Sequence, residues 1–244
     1  HGVDLDRARD GGRQLSRAAA YFELHIEQGP VLERMGLPLG VVLGTFGVER
    51  HAIHFTGQSA HAGSTPMDAR RDAFSAAAKL GLEIREIAVR HGGVCTVGSC
   101  VTRPGIVTAV AGECDITLDQ RHLEAGALER MLAEARAAGE RIAAEERVTA
   151  VWERIWRIHP IPFHPVLIEI ADEAVRAVSG TAHRLPSGPL HDAAEVCRAG
   201  IPTVMVFCQR KRPTSRCPTA GSLRPRSESN RGTAAPTKSS RCGR

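Results

Sequence analysis

The sequence predicts an α/β domain that is interrupted by an inserted α+β domain with a ferredoxin-like arrangement. Residues 47–158 carry patterns that order as strand, helix, strand, strand, helix, strand, the split arrangement of an antiparallel sheet with two helices on one face. The flanking segments differ, because 166–178 has helical periodicity and 201–208 is an apolar run typical of a strand buried in a parallel sheet. The chain is therefore divided into 1–46, 47–158, 159–209 and 210–244.

Local periodicity and chain breakers predict the individual elements. Residues 5–20, which are rich in Arg and Ala, favour a short helix that leads into a strand over 21–28. Apolar residues at helical spacing predict a helix over 67–90, with Thr65 as its cap and Pro66 in its first turn. A second helix, rich in Ala, Glu and Arg, is predicted over 123–147. The remaining strands are predicted at 39–46, 48–56, 94–101, 114–121 and 148–158.

Composition indicates a globular protein. The chain has 244 residues, of which 42% are apolar and 24% charged, enough for one large or two small domains with a core. No apolar run approaches the length that spans a bilayer, and the N-terminus has no signal-peptide pattern. The seven cysteines form no C-x-x-C pair and no regular spacing, which favours reduced thiols and a cytoplasmic location.

Positive charge is concentrated at the C-terminal end. Residues 210–244 hold ten of the 32 Lys and Arg residues and one of the 27 acids, Glu228, which leaves 22 bases and 26 acids in 1–209. The tail is rich in Arg, Ser, Pro, Thr and Gly and has Leu223 as its one large apolar residue. We therefore expect a disordered basic tail on a mildly acidic folded body.

The most informative stretch is 21–30, which places His25 in a strand pattern between Glu23 and Glu27. Residues two apart on a strand share a face, so the three side chains are expected to lie together. Such a face could hold a metal ion through His25 with acidic neighbours. The alternative is a structural histidine that is hydrogen-bonded to a carboxylate.

Three further segments, together with 23–30, resemble the signatures of a known family. They are Ser-Ala-His-Ala-Gly-Ser-Thr-Pro-Met at 59–67, Leu-Asp-Gln-Arg-His at 118–122 and Pro-Ser-Gly-Pro-Leu-His-Asp-Ala at 186–193. With Glu-Leu-His-Ile-Glu-Gln-Gly-Pro at 23–30, they resemble the signatures of the M20-type amidohydrolases that act on N-carbamoyl-amino acids, ureidopropionate and allantoate. The four occur in family order over 1–209, which makes a chance match very rare.

The resemblance implies a partial catalytic domain formed by 1–46 and 159–209, and an inserted lid over 47–158 that also makes a homodimer. It implies a divalent metal pair of Zn, Mn or Co that activates water for attack on a ureido carbon. His25 is the metal ligand that this sequence retains. The family's other ligands would precede His1 or follow Gln209, where the reading frame is expected to be lost. We therefore expect the chain alone to bind the metal pair poorly and to show little hydrolase activity.

The resemblance also assigns roles to His61 and Arg121. His61 is expected to stabilise the oxyanion, reaching the active site of the partner subunit; the alternative is a loop histidine that caps the next helix. Arg121 is expected to bind the α-carboxylate of the substrate, since guanidinium forms a bidentate fork with carboxylates. The alternative is a salt bridge from Arg121 to Asp119 or Glu113.

Three further residues are candidates for substrate contact. Thr108 stands where many relatives have asparagine, so the identity of the substrate stays open. His191 is expected to contact substrate near the metals, or to form a structural pair with Asp192. Gln28 is expected to face the substrate. The other histidines with no such context are interpreted as surface or packing residues: His51, His54, His122, His159, His164 and His183.

Several functions compete at this point. The first is hydrolysis of an N-carbamoyl-L-amino acid to the L-amino acid, carbon dioxide and ammonia. The second is a fragment without activity that folds or dimerises but lacks most metal ligands. An allantoate amidohydrolase and an M20 metallopeptidase are alternatives within the same superfamily. Nucleic-acid binding by the tail is disfavoured, because 210–244 has no aromatic residue to stack on bases.

Overall fold

The computed structural model describes Leu15 and residues 17–209. Most of the predicted helix over 5–20 and all of the predicted disordered tail over 210–244 therefore lie outside the described residues. The described strands are β1 (Tyr21–Ile26), β2 (Leu39–Thr45), β3 (Gly47–Thr56), β4 (Ala60–His61), β5 (Val94–Arg103), β6 (Ala109–Val110), β7 (Glu113–His122), β8 (Thr149–Ile158), β9 (Ile161–Pro162), β10 (Arg184–Ser187) and β11 (Thr203–Cys208). The helices are α1 (Val31–Met35), α2 (Ala73–His91), α3 (Ala125–Glu146), α4 (Pro165–Ser179) and α5 (Asp192–Arg198). In this part of the chain, no helix combines the length and apolarity that a membrane crossing needs.

A mixed sheet is built from both ends of the described chain. Its strand order is β1-β11-β2-β10, with β9 added on β2. The central strand β11 runs parallel to β1 but antiparallel to β2. The expectation that 201–208 belongs to a parallel sheet is thus only half correct. A strand that is buried on both faces carries the same apolar run whether its neighbours are parallel or antiparallel. The sequence therefore could not distinguish a parallel sheet from a mixed one.

The middle of the chain forms a separate four-stranded antiparallel sheet with the order β5-β7-β3-β8. Helices α2 and α3 pack on one face of it, and their apolar residues share a core with Ile53 and Phe55 of β3. Alternation along β3 places one set of side chains in this core and the other set on the opposite face. The mixed α/β class is therefore confirmed, whereas the lid and dimer roles of 47–158 remain predictions.

The start of α2 corrects one expectation. Thr65 and Pro66 do not begin this helix; residues Met67–Ala69 form a short 3-10 turn, and Arg70 is extended. The helix begins at Ala73, where the Asp72 carboxylate accepts hydrogen bonds from the backbone N–H groups of Phe74 and Ser75. An aspartate N-cap satisfies amides that the helix leaves unpaired, and this fixes the later start.

Strand β3 carries a buried polar pair, Glu49 and His51. His51 is fully buried, and its Nε2 lies 3.2 Å from the carboxylate of Glu49, which is also 3.0 Å from Nε of Arg157. Burial lowers the pKa of His51, and although Glu49 opposes this, Arg136 and Arg154 reinforce it. His51 is therefore held as a neutral imidazole inside the fold.

We expect the free energy of unfolding to fall as the pH drops below about 6.5, the ordinary histidine pKa. The folded pKa of His51 lies below the unfolded one, so the unfolded chain binds the proton first and acid favours unfolding. His51→Gln should flatten this slope in urea titrations between about pH 7.5 and about pH 5.5. His54→Gln is the control, because His54 lies on the same strand with a side chain that is 44% exposed. Equal slopes for His51→Gln and the unmodified protein would contradict the expectation.

Candidate metal and substrate site

Strand β1 presents Glu23 and His25 on one face, as the alternation predicts. The strand alternates between half-buried and exposed positions, and both of these residues are half-buried. Helix α5 then meets the strand, since the backbone N–H of Ala193 donates to Oε2 of Glu23 at 2.7 Å. This bond brings His191, which immediately precedes α5, to the same face.

His191 is fixed by the loop that leads to α5. Its side chain is 4% exposed, and its Nε2 lies 2.9 Å from Oγ of Ser187. Because the Ser187 hydroxyl already donates to the carbonyl of Pro189 at 2.8 Å, Oγ accepts from His191 and the imidazole carries its proton on Nε2. The lone pair of Nδ1 is then directed towards the β1 face, with Oε1 of Glu23 at 3.9 Å. Burial and the nearby His25 lower the pKa of His191, which keeps this lone pair available.

His25 has a complementary arrangement. Its Nδ1 donates to the backbone carbonyl of Ile26 at 2.8 Å, so the lone pair of the neutral ring lies on Nε2. The rings of His25 and His191 are 4.4 Å apart between centroids. Glu23, His25 and His191 each offer one ligand atom, and these atoms lie within 4.8 Å of one another. Two imidazole nitrogens and a carboxylate oxygen, with the second nitrogen of each ring engaged by protein, fit a divalent cation.

Glu27 does not belong to this face, which corrects the expectation that it flanks His25. Strand β1 ends at Ile26, and the buried Glu27 carboxylate accepts the backbone N–H groups of Val31 and Leu32 at 2.7 and 2.8 Å. The side chain thus caps α1 by satisfying two of its free amides. Gln28, the next residue, is exposed beyond the strand end.

Arg121 lies on β7 and contacts both its own strand and the loop after β10. Its Nε and Nη2 donate to the two oxygens of Asp119 at 2.6 and 3.0 Å, so the salt bridge considered as an alternative is present. Its Nη1 also donates to the carbonyl of Gly188 at 2.9 Å, in the loop that carries His191. Arg121 is therefore fixed beside the loop of the candidate metal site, and its salt bridge does not exclude a contact with substrate.

Asp119 also pairs with a second arginine, Arg50. Arg50 donates to Oδ2 of Asp119 at 2.6 Å, and its guanidinium lies 4.9 Å from the ring centre of Trp156. Burial raises the pKa of Asp119, but hydrogen bonds and charge from Arg121 and Arg50 outweigh this and hold the pKa below its usual value. The ionised carboxylate thereby restrains the Arg121 fork.

His61 lies on a two-stranded ribbon, and Thr108 immediately precedes the second strand of that ribbon. Strand β4 pairs His61 with Ala109 of β6, and the carbonyl of Thr108 accepts the N–H of Ala62 at 2.8 Å. Both side chains are exposed. Nδ1 of His61 accepts two backbone N–H groups, from Gly63 and Ser64, each at 3.2 Å. The ring proton is therefore on Nε2, which presents a hydrogen-bond donor to solvent.

Two partners at the site were missed by sequence reasoning. Ser187 sets the tautomer of His191, and Gly188 anchors Arg121. Their one sequence signal was their place in the motif at 186–193, because a backbone carbonyl and a serine hydroxyl leave no pattern of their own.

A mixed α/β fold that brings two histidines and one glutamate together has the ligand set of hydrolytic zinc sites. Comparison with known proteins places the chain more narrowly. It belongs to peptidase family M20/M25/M40, whose family model matches residues 7–220.

Curated relatives of this chain include amidohydrolases. An N-carbamoyl-L-amino acid amidohydrolase of Geobacillus stearothermophilus is 34% identical over 218 residues, which cover 89% of this chain and 53% of the relative. An allantoate amidohydrolase of Escherichia coli is 34% identical over 191 residues, which cover 77% of this chain and 46% of the relative. The chain thus spans about half the length of the curated relatives it matches.

A solved structure shows the same fold. An amidase of the hydantoinase/carbamoylase family from Burkholderia multivorans superposes with a TM-score of 0.75 at 37% identity, covering 78% of this chain and 46% of that one.

Proposed function

We propose that the residues of this chain serve the hydrolysis of a linear C–N bond in an N-carbamoyl-L-amino acid, which yields the L-amino acid, carbon dioxide and ammonia. One observation carries the proposal. The loop at 187–191 holds His191 against Glu23 and His25 and, through Gly188, also holds the Arg121 guanidinium. A cation-binding group and a carboxylate-binding group thus adjoin one short segment, which suits a substrate with a ureido carbon close to a carboxylate.

In this proposal Glu23, His25 and His191 hold a divalent cation. A Zn, Mn or Co ion held there would supply an activated water and Lewis-acid polarisation of the carbamoyl group. The protein contributes by fixing both histidine tautomers through Ile26 and Ser187, so that each ring directs a lone pair to the same place. Three donor groups suffice for one cation but not for the metal pair that the resemblance implies.

Arg121 is proposed to bind the α-carboxylate of the substrate. Of its five N–H groups, two go to Asp119 and one to Gly188 among the described residues. One N–H then remains on each terminal nitrogen, the number that a carboxylate needs for two hydrogen bonds. Asp119 neutralises part of the charge but prevents rotation of the fork, which lowers the entropy that binding would cost.

His61 is proposed to donate its Nε2–H to the oxyanion that develops on the attacked carbon. The neutral ring with a proton on Nε2 follows from its two backbone donors, and a fixed donor is the form that oxyanion stabilisation requires.

Residues 47–158 are proposed as a lid that pairs two copies and brings His61 to the partner subunit's site, together with Thr108. Sedimentation equilibrium would test the dimer. Gln28 is proposed to contact substrate from the end of β1.

The proposal is tested by cation and ligand binding to the purified chain. We expect stoichiometric uptake of Zn²⁺, Mn²⁺ or Co²⁺ by elemental analysis, followed by saturable calorimetric binding of N-carbamoyl-L-alanine to the loaded protein. N-ethylurea, which lacks the carboxylate, should not bind, and allantoate and a dipeptide test the alternatives. No binding of any ureido acid to the loaded protein would refute the proposal.

Turnover should be low for the chain alone, because a second cation lacks ligands among the described residues. Turnover of N-carbamoyl-L-alanine that His25→Ala abolishes would show instead that the chain already completes its site.

A further inference from the structure

Two cysteines of the four-stranded sheet are in direct contact. Cys100 lies on the edge strand β5 and Cys114 on its neighbour β7, and their sulfur atoms are 3.7 Å apart. The strand register pairs Thr102 with Cys114 and Cys100 with Ile116, so the two cysteines are diagonal neighbours across the ladder. Sequence spacing gave no sign of this pair, since pairing is set by the register of two long strands.

The two thiols differ in their access to solvent. Cys100 is exposed, whereas Cys114 is completely buried and packs in the core with Ile53 and Phe55. Burial, together with the adjacent Cys100, raises the pKa of Cys114 to about 12. A reagent from solution can therefore meet Cys100, while Cys114 can meet the sulfur of Cys100.

We propose that Cys100 and Cys114 form a reversible dithiol–disulfide site that low-molecular-weight disulfides oxidise. The thiolate of Cys100 attacks one sulfur of a disulfide RSSR, which forms a mixed disulfide and releases RSH after protonation. Cys114 then attacks the Cys100 sulfur, loses its proton to solvent and expels the second RSH. Two protein thiols and RSSR are thus converted into one protein disulfide and two RSH, and an excess of RSH reverses the exchange.

The surrounding structure keeps the two sulfurs together for the second step. Arg103 on β5 donates to Glu113 and to Asp115 on β7, so these hydrogen bonds hold the two strands together beside the cysteines. Cys114 is a poor nucleophile by its pKa, but its attack is intramolecular and a high effective concentration compensates for this. The first step is therefore expected at Cys100, and the second step should leave no lasting adduct there.

The disulfide would close the segment between the two cysteines at its base. That segment carries Thr108 and includes β6, which pairs with the strand of His61. Oxidation therefore restrains the ribbon that presents His61, and amide hydrogen exchange within 104–112 should slow in the oxidised protein.

The test is oxidation of the whole chain with oxidised glutathione, followed by acid quenching, alkylation of free thiols and mass spectrometry. Trypsin does not cut between Arg103 and Pro104, so a protease that cuts after glutamate is added to cut after Glu113. We expect peptide 91–113 to be linked to peptide 114–121, lighter by two hydrogen atoms than the sum of the two, with the link lost on addition of dithiothreitol.

Two variants give opposite expected results. Cys114→Ser should retain glutathione on peptide 91–113, because nothing expels it. Cys100→Ser should leave Cys114 fully alkylatable, and it also tests Cys95, which lies in the same peptide. A link that persists in Cys100→Ser, a lasting adduct at Cys100 in the unmodified protein, or two free thiols in that protein after a treatment that modifies Cys114→Ser would each overturn the proposal.

Discussion

Replacing His25 by alanine is expected to weaken cation binding by at least about 100-fold. Loss of a partner that merely orients a ligand already costs 10- to 100-fold in metal affinity, and His25 is proposed as a direct ligand. The structure offers Glu23 and His191 as the other two groups, so removal of His25 leaves a nitrogen and an oxygen donor. Calorimetric titration of the metal-free protein with Zn²⁺, at a pH above the ordinary histidine pKa, measures the change.

His54→Ala is the matched control for this experiment. His54 is a half-exposed histidine beside an acid, Asp115, but it lies on β3 of the other sheet. Its removal should leave the affinity unchanged, and Glu23→Gln should weaken binding to a smaller extent than His25→Ala. Equal affinities for His25→Ala and the unmodified protein would mean that the cation binds elsewhere and that the β1 face is structural.

The regular parts of the fold could be predicted because each buries one face. The apolar residues of α2 that recur at helical spacing are all buried, as that spacing predicts: Ala73, Ala77, Leu80, Ile84 and Ile87. Strand β10 could not be predicted in this way, because it has four residues, one of them Pro186. Its extended form depends on pairing with Val41 and Val42 of β2, which is a tertiary contact.

The candidate site shows the same division between local and tertiary information. The strand period places Glu23 beside His25, which needs only neighbouring residues. Glu27 has the same spacing, but its carboxylate accepts hydrogen bonds from the free amides of α1, a short helix that the sequence analysis did not predict. His191 reaches the face because Ala193 bonds Glu23 across a gap of 170 residues, and no local pattern encodes that contact.

Arg121→Lys is expected to weaken binding of N-carbamoyl-L-alanine to the cation-loaded protein by about 10- to 100-fold. Lysine keeps the charge but replaces the fork by a single point, which removes one charged hydrogen bond worth about 1.5–3 kcal/mol. Cation affinity should not change, because Arg121 touches the site through the carbonyl of Gly188 and not through a ligand. Calorimetric titration of the same variant with Zn²⁺ and then with N-carbamoyl-L-alanine separates a loss of carboxylate binding from a general loss of the site.

Arg103→Lys is the control for the exchange of a guanidinium for an ammonium group, since Arg103 also pairs with acidic side chains, Glu113 and Asp115, but lies at the end of β5. It should bind the ligand as the unmodified protein does. The salt bridge to Asp119 makes a purely structural role for Arg121 the competing hypothesis, and Asp119→Asn distinguishes the two. If Arg121→Lys leaves ligand affinity intact while Asp119→Asn lowers the free energy of unfolding, the guanidinium serves the fold. If Arg121→Lys weakens the ligand and Asp119→Asn does so to a lesser degree, Asp119 acts by orienting a fork whose remaining N–H groups hold the carboxylate.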